Sequence, residues 1–273
     1  MNTNLITHKP FNPQKIRVRK INFQLSADIP RIWHGNSLIM THFFNGINLF
    51  LPTFELMMVR VMKSQLNNIE DSEFKKQICG FIAQEASHSQ AHHQYNQILQ
   101  EQGYKFEKWL KIADFILIEI LEKRLGKTVS LATIAGFEHL TTLLAEIILK
   151  VDMLEPADLR MKELWNWHAA EEIEHSSVAF TYLQTVNNSY WLRLLGGILG
   201  TTIVVGFIAM GMLSLALQER DLFSWKTLID LNKLLFTKYK LIPYSLKPLF
   251  EYLKINFSPC NKDVYPLAEK VLV

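Results

Sequence analysis

Residues 167–177 read WHAAEEIEHSS, with two histidines and three glutamates inside positions 168–175. The segment lies between Leu164 and the apolar-leaning VAFTYL of 178–183, so ionisable groups interrupt what otherwise patterns as a packed helix. On a helix, positions three and four apart share a face. His168, Glu172 and His175 stand at i, i+4 and i+7 and form one stripe, from which Glu171 and Glu174 turn partly away. Glu172 and His175 make a Glu-x-x-His pair, the spacing by which four-helix bundles present a carboxylate and an imidazole to a pair of metal ions.

Such a bundle needs a second Glu-x-x-His pair and two single glutamates on other helices. The run QEASHSQAHH (84–93) supplies Glu85 and His88, with His92 one turn further along the same stripe. TFELMMVR (53–60) puts Glu55 in an apolar helix, and GFEHLTT (136–142) does the same for Glu138. The predicted ligands are therefore Glu55, Glu85, His88, Glu138, Glu172 and His175, with His168 as a seventh. Glu85 and His88 are expected to share one ion with Glu55; Glu172, His175 and His168 are expected to share the other with Glu138. His92 and Glu171 are candidates to support ligands from behind. No catalytic residue beyond the ligands is predicted. Alone, a Glu-x-x-His pair is usually solvated; Glu174, like Glu171, reads as a group supporting a ligand or solvated, and His93, His139, Arg60 and Asp152 as ordinary hydrogen-bonding or ion-pairing groups. The ordered combination is what points to metal. Six buried ionisable groups would be very costly without cations. Imidazole beside carboxylate suits two ions, iron first, with manganese or zinc as alternatives. The ligands bind deprotonated, so affinity should fall at acid pH.

No period-2 runs or hairpin turns occur, so the expected fold class is all-α. Residues 1–36 read as a basic arm broken by Pro10, Pro13 and Pro30. A bundle is expected over 37–190. Its first helix starts at a Ser37 cap, with a kink or restart at Pro52. The second is capped by Ser72 and ends before Gly103; an extra crossover segment covers about 106–125. The last two helices are expected at about 128–150 and about 157–186. Residues 191–220 form an apolar helix, and 221–273 a basic, aromatic tail. Within the apolar helix, 194–217 is 24 residues without a charge and holds five of the eleven glycines. About 20 apolar residues suffice to cross a bilayer, and Gly196-xxx-Gly200 permits close helix contact. Arg193 precedes this segment, whereas Arg220, Lys226, Lys233 and Lys238 follow it, which would place the bundle outside the cell. The N-terminus has no signal-peptide pattern, and Cys79 and Cys260 make no disulfide framework. The segment is therefore read as re-entrant, monotopic or paired in an oligomer, on the cytoplasmic side of the inner membrane.

Composition agrees: the chain is 49% hydrophobic and 20% charged with net charge +3, and its mean hydropathy is +0.06. Lys9, Lys15, Arg17, Arg19 and Lys20 precede the first acid, and eight lysines face five acids from 221 onward. That suits an anionic lipid surface; no nucleic-acid module is present. The expected partners are a small apolar or lipid-like substrate, a membrane surface, a second copy of the chain, and an electron donor that the sequence does not identify.

The stretches LFLPTFELMMVR, FIAQEASHSQAHHQYN, GFEHLTTLLAE and WNWHAAEEIEHSSVAF resemble a bacterial family of the ferritin-like superfamily known as predicted metal-dependent hydrolases. The resemblance covers about 20–190, and more weakly the tail near NFSPCNKD. It implies a ferritin-like bundle around a di-metal centre. His168-xxx-Glu172-xx-His175 is also similar to the extra-histidine site of the di-iron arylamine N-oxygenases. Phe54 stands where the family usually has a small residue, and Ser258 and Cys260 break its usual tail motif. The family name implies hydrolysis, whereas the ligand pattern is similar to di-iron centres that activate O2. The function expected is an O2-dependent di-iron oxidoreductase acting on an apolar or membrane-borne substrate. The alternative is a metal-dependent hydrolase using a metal-activated water; a second alternative is a non-catalytic metal-binding bundle. Phe43, Phe44, Phe50, Phe54, Met57 and Met58 are read either as the lining of an apolar channel or as core.

Overall fold

The computed structural model describes residues 16–272, so Lys9, Pro10, Pro13 and Lys15 of the arm lie outside the described residues. Helix α1 (Leu38–Gln65) starts at Ser37, whose side chain accepts from Met40 N. Helix α2 (Ser72–Glu101) starts at Asp71 rather than at the expected Ser72 cap, because the Asp71 carboxylate accepts from both Glu73 N and Phe74 N. Pro52 neither breaks nor restarts α1. The carbonyl that Pro52 leaves without a donor, Asn48 O, instead lies 3.5 Å from Asn96 Nδ2 on α2.

Helix α3 (Glu107–Asp114) continues through wider π-type turns over Phe115–Glu122. Gly126 closes that connection at φ +82°, and α4 (Lys127–Lys150) follows. Asp158 caps α5 (Leu159–His175). The expected helix over 157–186 is thus two helices, with α6 (Val178–Val186) beginning after the break. Two serines, which compete for backbone hydrogen bonds, sit at that break. The remaining helices are α7 (Tyr190–Ala216), α8 (Trp225–Asn232), α9 (Leu241–Tyr252) and α10 (Tyr265–Glu269). Among the described residues the only β feature is an isolated bridge between His34 and Ala157.

Helices α1, α2, α5 and α4 form an all-α bundle: α1 packs on α2 and α4 on α5, and the α1–α4 and α2–α5 contacts close it. The α3 segment crosses between the second and third bundle helices. The arm lies against the bundle, where Trp33 Nε1 donates to Asn45 Oδ1 and Trp33 O accepts from Asp158 N.

Helices α4 and α7 are both long and apolar enough to cross a membrane. Helix α4 is mostly buried inside the protein, and α7 packs along α1 and α4. Its glycines allow this. A Cβ on Gly196 would come within 2.2 Å of Ala132 O, and one on Gly200 within 2.6 Å of Phe137 N. The Gly196-xxx-Gly200 pair therefore contacts α4 of the same chain.

Gly196→Ala should lower stability by about 1–3 kcal/mol or more, since backbone blocks the added methyl. Gly206→Ala, with nothing within 4 Å of its Cβ position, should instead raise stability by up to about 1 kcal/mol. Denaturant unfolding of the two variants checks this; equal effects would mean that α7 is not docked.

Candidate metal centre

The ligand stripes of α2 and α5 meet antiparallel. Glu85 lies opposite His175, His88 opposite Glu172 and Glu171, and His92 opposite His168. Glu55 from α1 and Glu138 from α4 complete the cluster, and all seven predicted ligand side chains are buried. Their atoms converge in three groups that could hold a metal ion: Glu85, Glu138 and His175; Glu55, His88 and His168; and, between them, Glu85, His88 and Glu172. His175 Nε2 stands 3.1 Å from Glu85, 3.4 Å from Glu138 and 3.6 Å from Glu172. His168 Nε2 stands 3.3 Å from Glu172, and His88 Nδ1 3.7–3.8 Å from Glu85 and Glu172. Ligands about 2.1 Å from a common cation lie roughly 3–4 Å from one another.

This grouping differs from the expected one. His168 falls in with Glu55 and His88, and Glu85 falls in with His175. The reason is helical rise: seven residues advance about 10.5 Å, so His168 and His175 reach opposite ends of the cluster. The Glu-x-x-His pair of α2 reaches both ends, and it also stands together with Glu172 in the middle group.

Hydrogen bonds behind the cluster set the tautomers. Asn48 Nδ2 donates to His92 O and to Asn96 Oδ1, so Asn48 Oδ1 is the atom that accepts from His92 Nδ1 at 2.6 Å. His92 Nε2 then accepts from His168 Nδ1 at 2.9 Å, leaving the His168 Nε2 lone pair toward Glu172. Gln84 Nε2 donates to Glu174 and to Arg17 O, so Gln84 Oε1 accepts from His175 Nδ1 at 3.0 Å. His88 Nε2 donates to Glu171 at 3.1 Å, leaving Nδ1 free. Each of these ligand imidazoles thus donates outward and turns its other ring nitrogen inward, as in metal sites whose far ring nitrogen is hydrogen-bonded.

Among the described residues, most polar atoms on the inward side have only one another for neighbours and no hydrogen-bond partner. Both carboxylate oxygens of Glu55, Glu85 and Glu138 lack a hydrogen-bond donor, as do Glu172 Oε2, His88 Nδ1 and His175 Nε2. Buried polar atoms are otherwise paired in most proteins, so this shell fits cations. Its charge fits two of them: the four carboxylates, ionised, carry the charge that two divalent ions neutralise. Without cations, burial pushes Glu55 and Glu85 well above the usual carboxylate range, and Glu172 beside them pushes the same way. Burial, with Glu172, raises Glu138 to about 7. For Glu172 itself burial acts upward, but the imidazoles, His175 foremost, outweigh it and hold the carboxyl low. His175 is raised, because Glu172, Glu138 and Glu85 together outweigh its burial. Burial and His88 lower His168 to about 3, so its imidazole is neutral.

Arg19, read from sequence as part of a lipid-facing arm, is turned inward. Its guanidinium donates to both oxygens of Glu174 at 2.7 Å and to Glu171 at 3.1 Å. Arg19 therefore braces His88 through Glu171 and His175 through Glu174 and Gln84. Sequence reading missed Arg19, Gln84 and Asn48. Gln84 alone carried a signal, as the polar residue before Glu85 in a buried segment. His93 is exposed, His139 pairs with Pro248 O, Arg60 pairs with Glu122, and Asp152 lies 3.6 Å from Lys162.

A narrow apolar cavity of about 30 Å³ borders His168 and Glu172, under Val204 and Ile208 of α7. Of the six apolar residues near Glu55, only Phe50 lines it; the others are core. Phe54 stacks on Phe137 at 3.6 Å between centroids, which absorbs its bulk without removing Glu55 from the cluster.

A family model described as predicted metal-dependent hydrolase matches residues 17–263, and the chain belongs to that family. The match includes the tail around Ser258 and Cys260, where the sequence resemblance is weaker. No curated protein and no solved structure matches the chain. The family description speaks for metal-dependent hydrolysis, the alternative reading of the sequence, rather than for oxidation by O2.

Two outcomes follow. Cations compete with the protons that burial favours on Glu55, Glu85 and Glu138, so binding should release protons and affinity should climb as pH rises through about 7, where Glu138 titrates. Calorimetry in buffers of differing ionisation enthalpy measures this. Gln84→Leu removes the acceptor of His175 Nδ1 and should weaken metal binding about 10–100-fold, with the far-UV circular dichroism spectrum unchanged.

Proposed function

We propose that the chain is a two-metal hydrolase acting on a substrate with a slim apolar group. The observation that carries this is the inward shell of imidazole lone pairs and unpartnered carboxylate oxygens, in a chain of a metal-dependent hydrolase family. Glu85, Glu138 and His175 would hold one cation and Glu55, His88 and His168 the other, with Glu172 between. Bound there, two divalent ions would supply Lewis acidity and a water acidified toward neutral pH. The chain's own contribution is to bind, orient and exclude water. Ile47, Phe50, Leu144, Val204 and Ile208 wall the cavity with hydrocarbon. Glu172 Oε2 is free to accept a hydrogen bond from a group in it. Thr141, the one hydroxyl among the lining residues, already donates to Glu138 O. No lining serine or cysteine offers a nucleophile, so attack falls to water.

Oxidation by O2 is the second reading, supported by the same dry, carboxylate-rich shell and by a cavity with few polar groups for a leaving group. It needs iron and an external electron donor. Protein loaded with zinc, manganese or iron is assayed on p-nitrophenyl esters of graded chain length, with and without O2. Turnover by the zinc or manganese form without O2, reduced by well over about tenfold in Glu172→Gln, is expected. No hydrolysis with any metal, together with O2 consumption by the reduced iron form, would replace this reading with the second.

A further inference from the structure

Helix α7 has two faces of opposite use. One is glycine-lined and docked on α1 and α4. The other exposes Trp191, Leu195, Ile198, Val205, Leu213 and Leu217, one residue per turn or two along the whole helix. The one charge within this helix, Arg193, is buried and donates to the carbonyls of Tyr252 and Lys254. Contiguous apolar surface on this scale marks an interaction face.

The flanks say what covers it. On one side lies α3, whose Trp109 packs on Phe207 of α7 and which exposes Ile112 and Phe115. On the other lies α9, where Phe250 and Leu253 share a groove with Ile198. Beyond the end of α7, Phe223 and Trp225 are 89% and 81% exposed. On these flanking segments Lys105, Lys108, Arg220, Lys226, Lys247 and Lys254 stand exposed, against exposed Glu107 and Asp221 and half-buried Glu251. An uncharged stripe edged by aromatics and an excess of lysines matches the interface of an anionic bilayer. A second copy fits less well. It would bring like-charged flanks together, which opposes pairing.

We infer that the exposed face of α7, with its α3 and α9 flanks, docks the protein on the surface of an anionic membrane, α7 lying along the bilayer rather than across it. The inference does not depend on the reaction. It does place α7, whose Val204 and Ile208 roof the cavity, between the lipid and the metal centre.

The test is flotation of the full chain with vesicles of phosphatidylcholine alone and of phosphatidylcholine mixed with phosphatidylglycerol. The wild-type chain should float with the mixed vesicles and at least tenfold less with the neutral ones, and salt should weaken the binding. Ile198→Glu/Leu213→Glu alters only exposed positions and should reduce binding at least tenfold, with melting temperature and metal content unchanged. Flotation undiminished in that variant would show that the stripe is not the docking face. A wild-type chain that ignores both vesicles but is a dimer, made monomeric by the same substitutions, would assign the face to a second copy and overturn the inference. Absence of both vesicle binding and dimerisation would overturn it as well.

Discussion

Four carboxylates share the dry interior of one helical bundle, and the protein supplies no hydrogen-bond donors to most of their oxygens. Everything else about the fold is arranged around that constraint. Buried charge is tolerated only when paired or coordinated. Here the inward ring nitrogens of His88, His168 and His175 line the same cluster, so a cation complements it, and four ionised carboxylates carry charge enough for two. Sites of this kind hold protons when empty, which is why the burial of Glu55, Glu85 and Glu138 matters to chemistry as well as to stability.

The supports of the cluster come from outside the ligand helices' inner faces. Asn48 acts through His92, Gln84 acts on His175 directly, and Arg19 crosses from the arm to Glu171 and Glu174. These contacts fix which nitrogen of each ring is free, and they tie the arm to the centre. Helix α7 closes the same region from another side. Its glycines bring it close enough to α1 and α4 to roof the cavity, while its opposite face stays apolar and uncovered. The two faces of one helix thus connect the interior site to the surface.

Much of this was legible in the sequence because helix geometry turns spacing into adjacency. Glu-x-x-His at 85–88 and 172–175, with Glu55 and Glu138 in apolar runs, was enough to expect a helical bundle and to select the seven side chains that converge. Which ligand atoms lie within reach of one another was not legible, because it depends on the antiparallel register of α2 against α5 and on the distance that helical rise puts between His168 and His175. The role of Arg19 was hidden for a similar reason. In sequence it is one of several basic residues, and only the packing of the arm separates it from Lys20. The break after His175 and the cap at Asp71 rest on local backbone geometry at one or two residues, below the resolution of periodicity. The apolar run 194–217 gave its length and composition but not its sidedness, which comes from where its glycines fall relative to α4.

The most direct measurement is anomalous diffraction from crystals grown with manganese, recorded to locate the ions. The account predicts two ions per chain, one bounded by Glu85, Glu138 and His175 and the other by Glu55, His88 and His168, with Glu172 between them. A single ion held elsewhere, or a cluster that stays empty while its carboxylates pair with one another through shared protons, would contradict it.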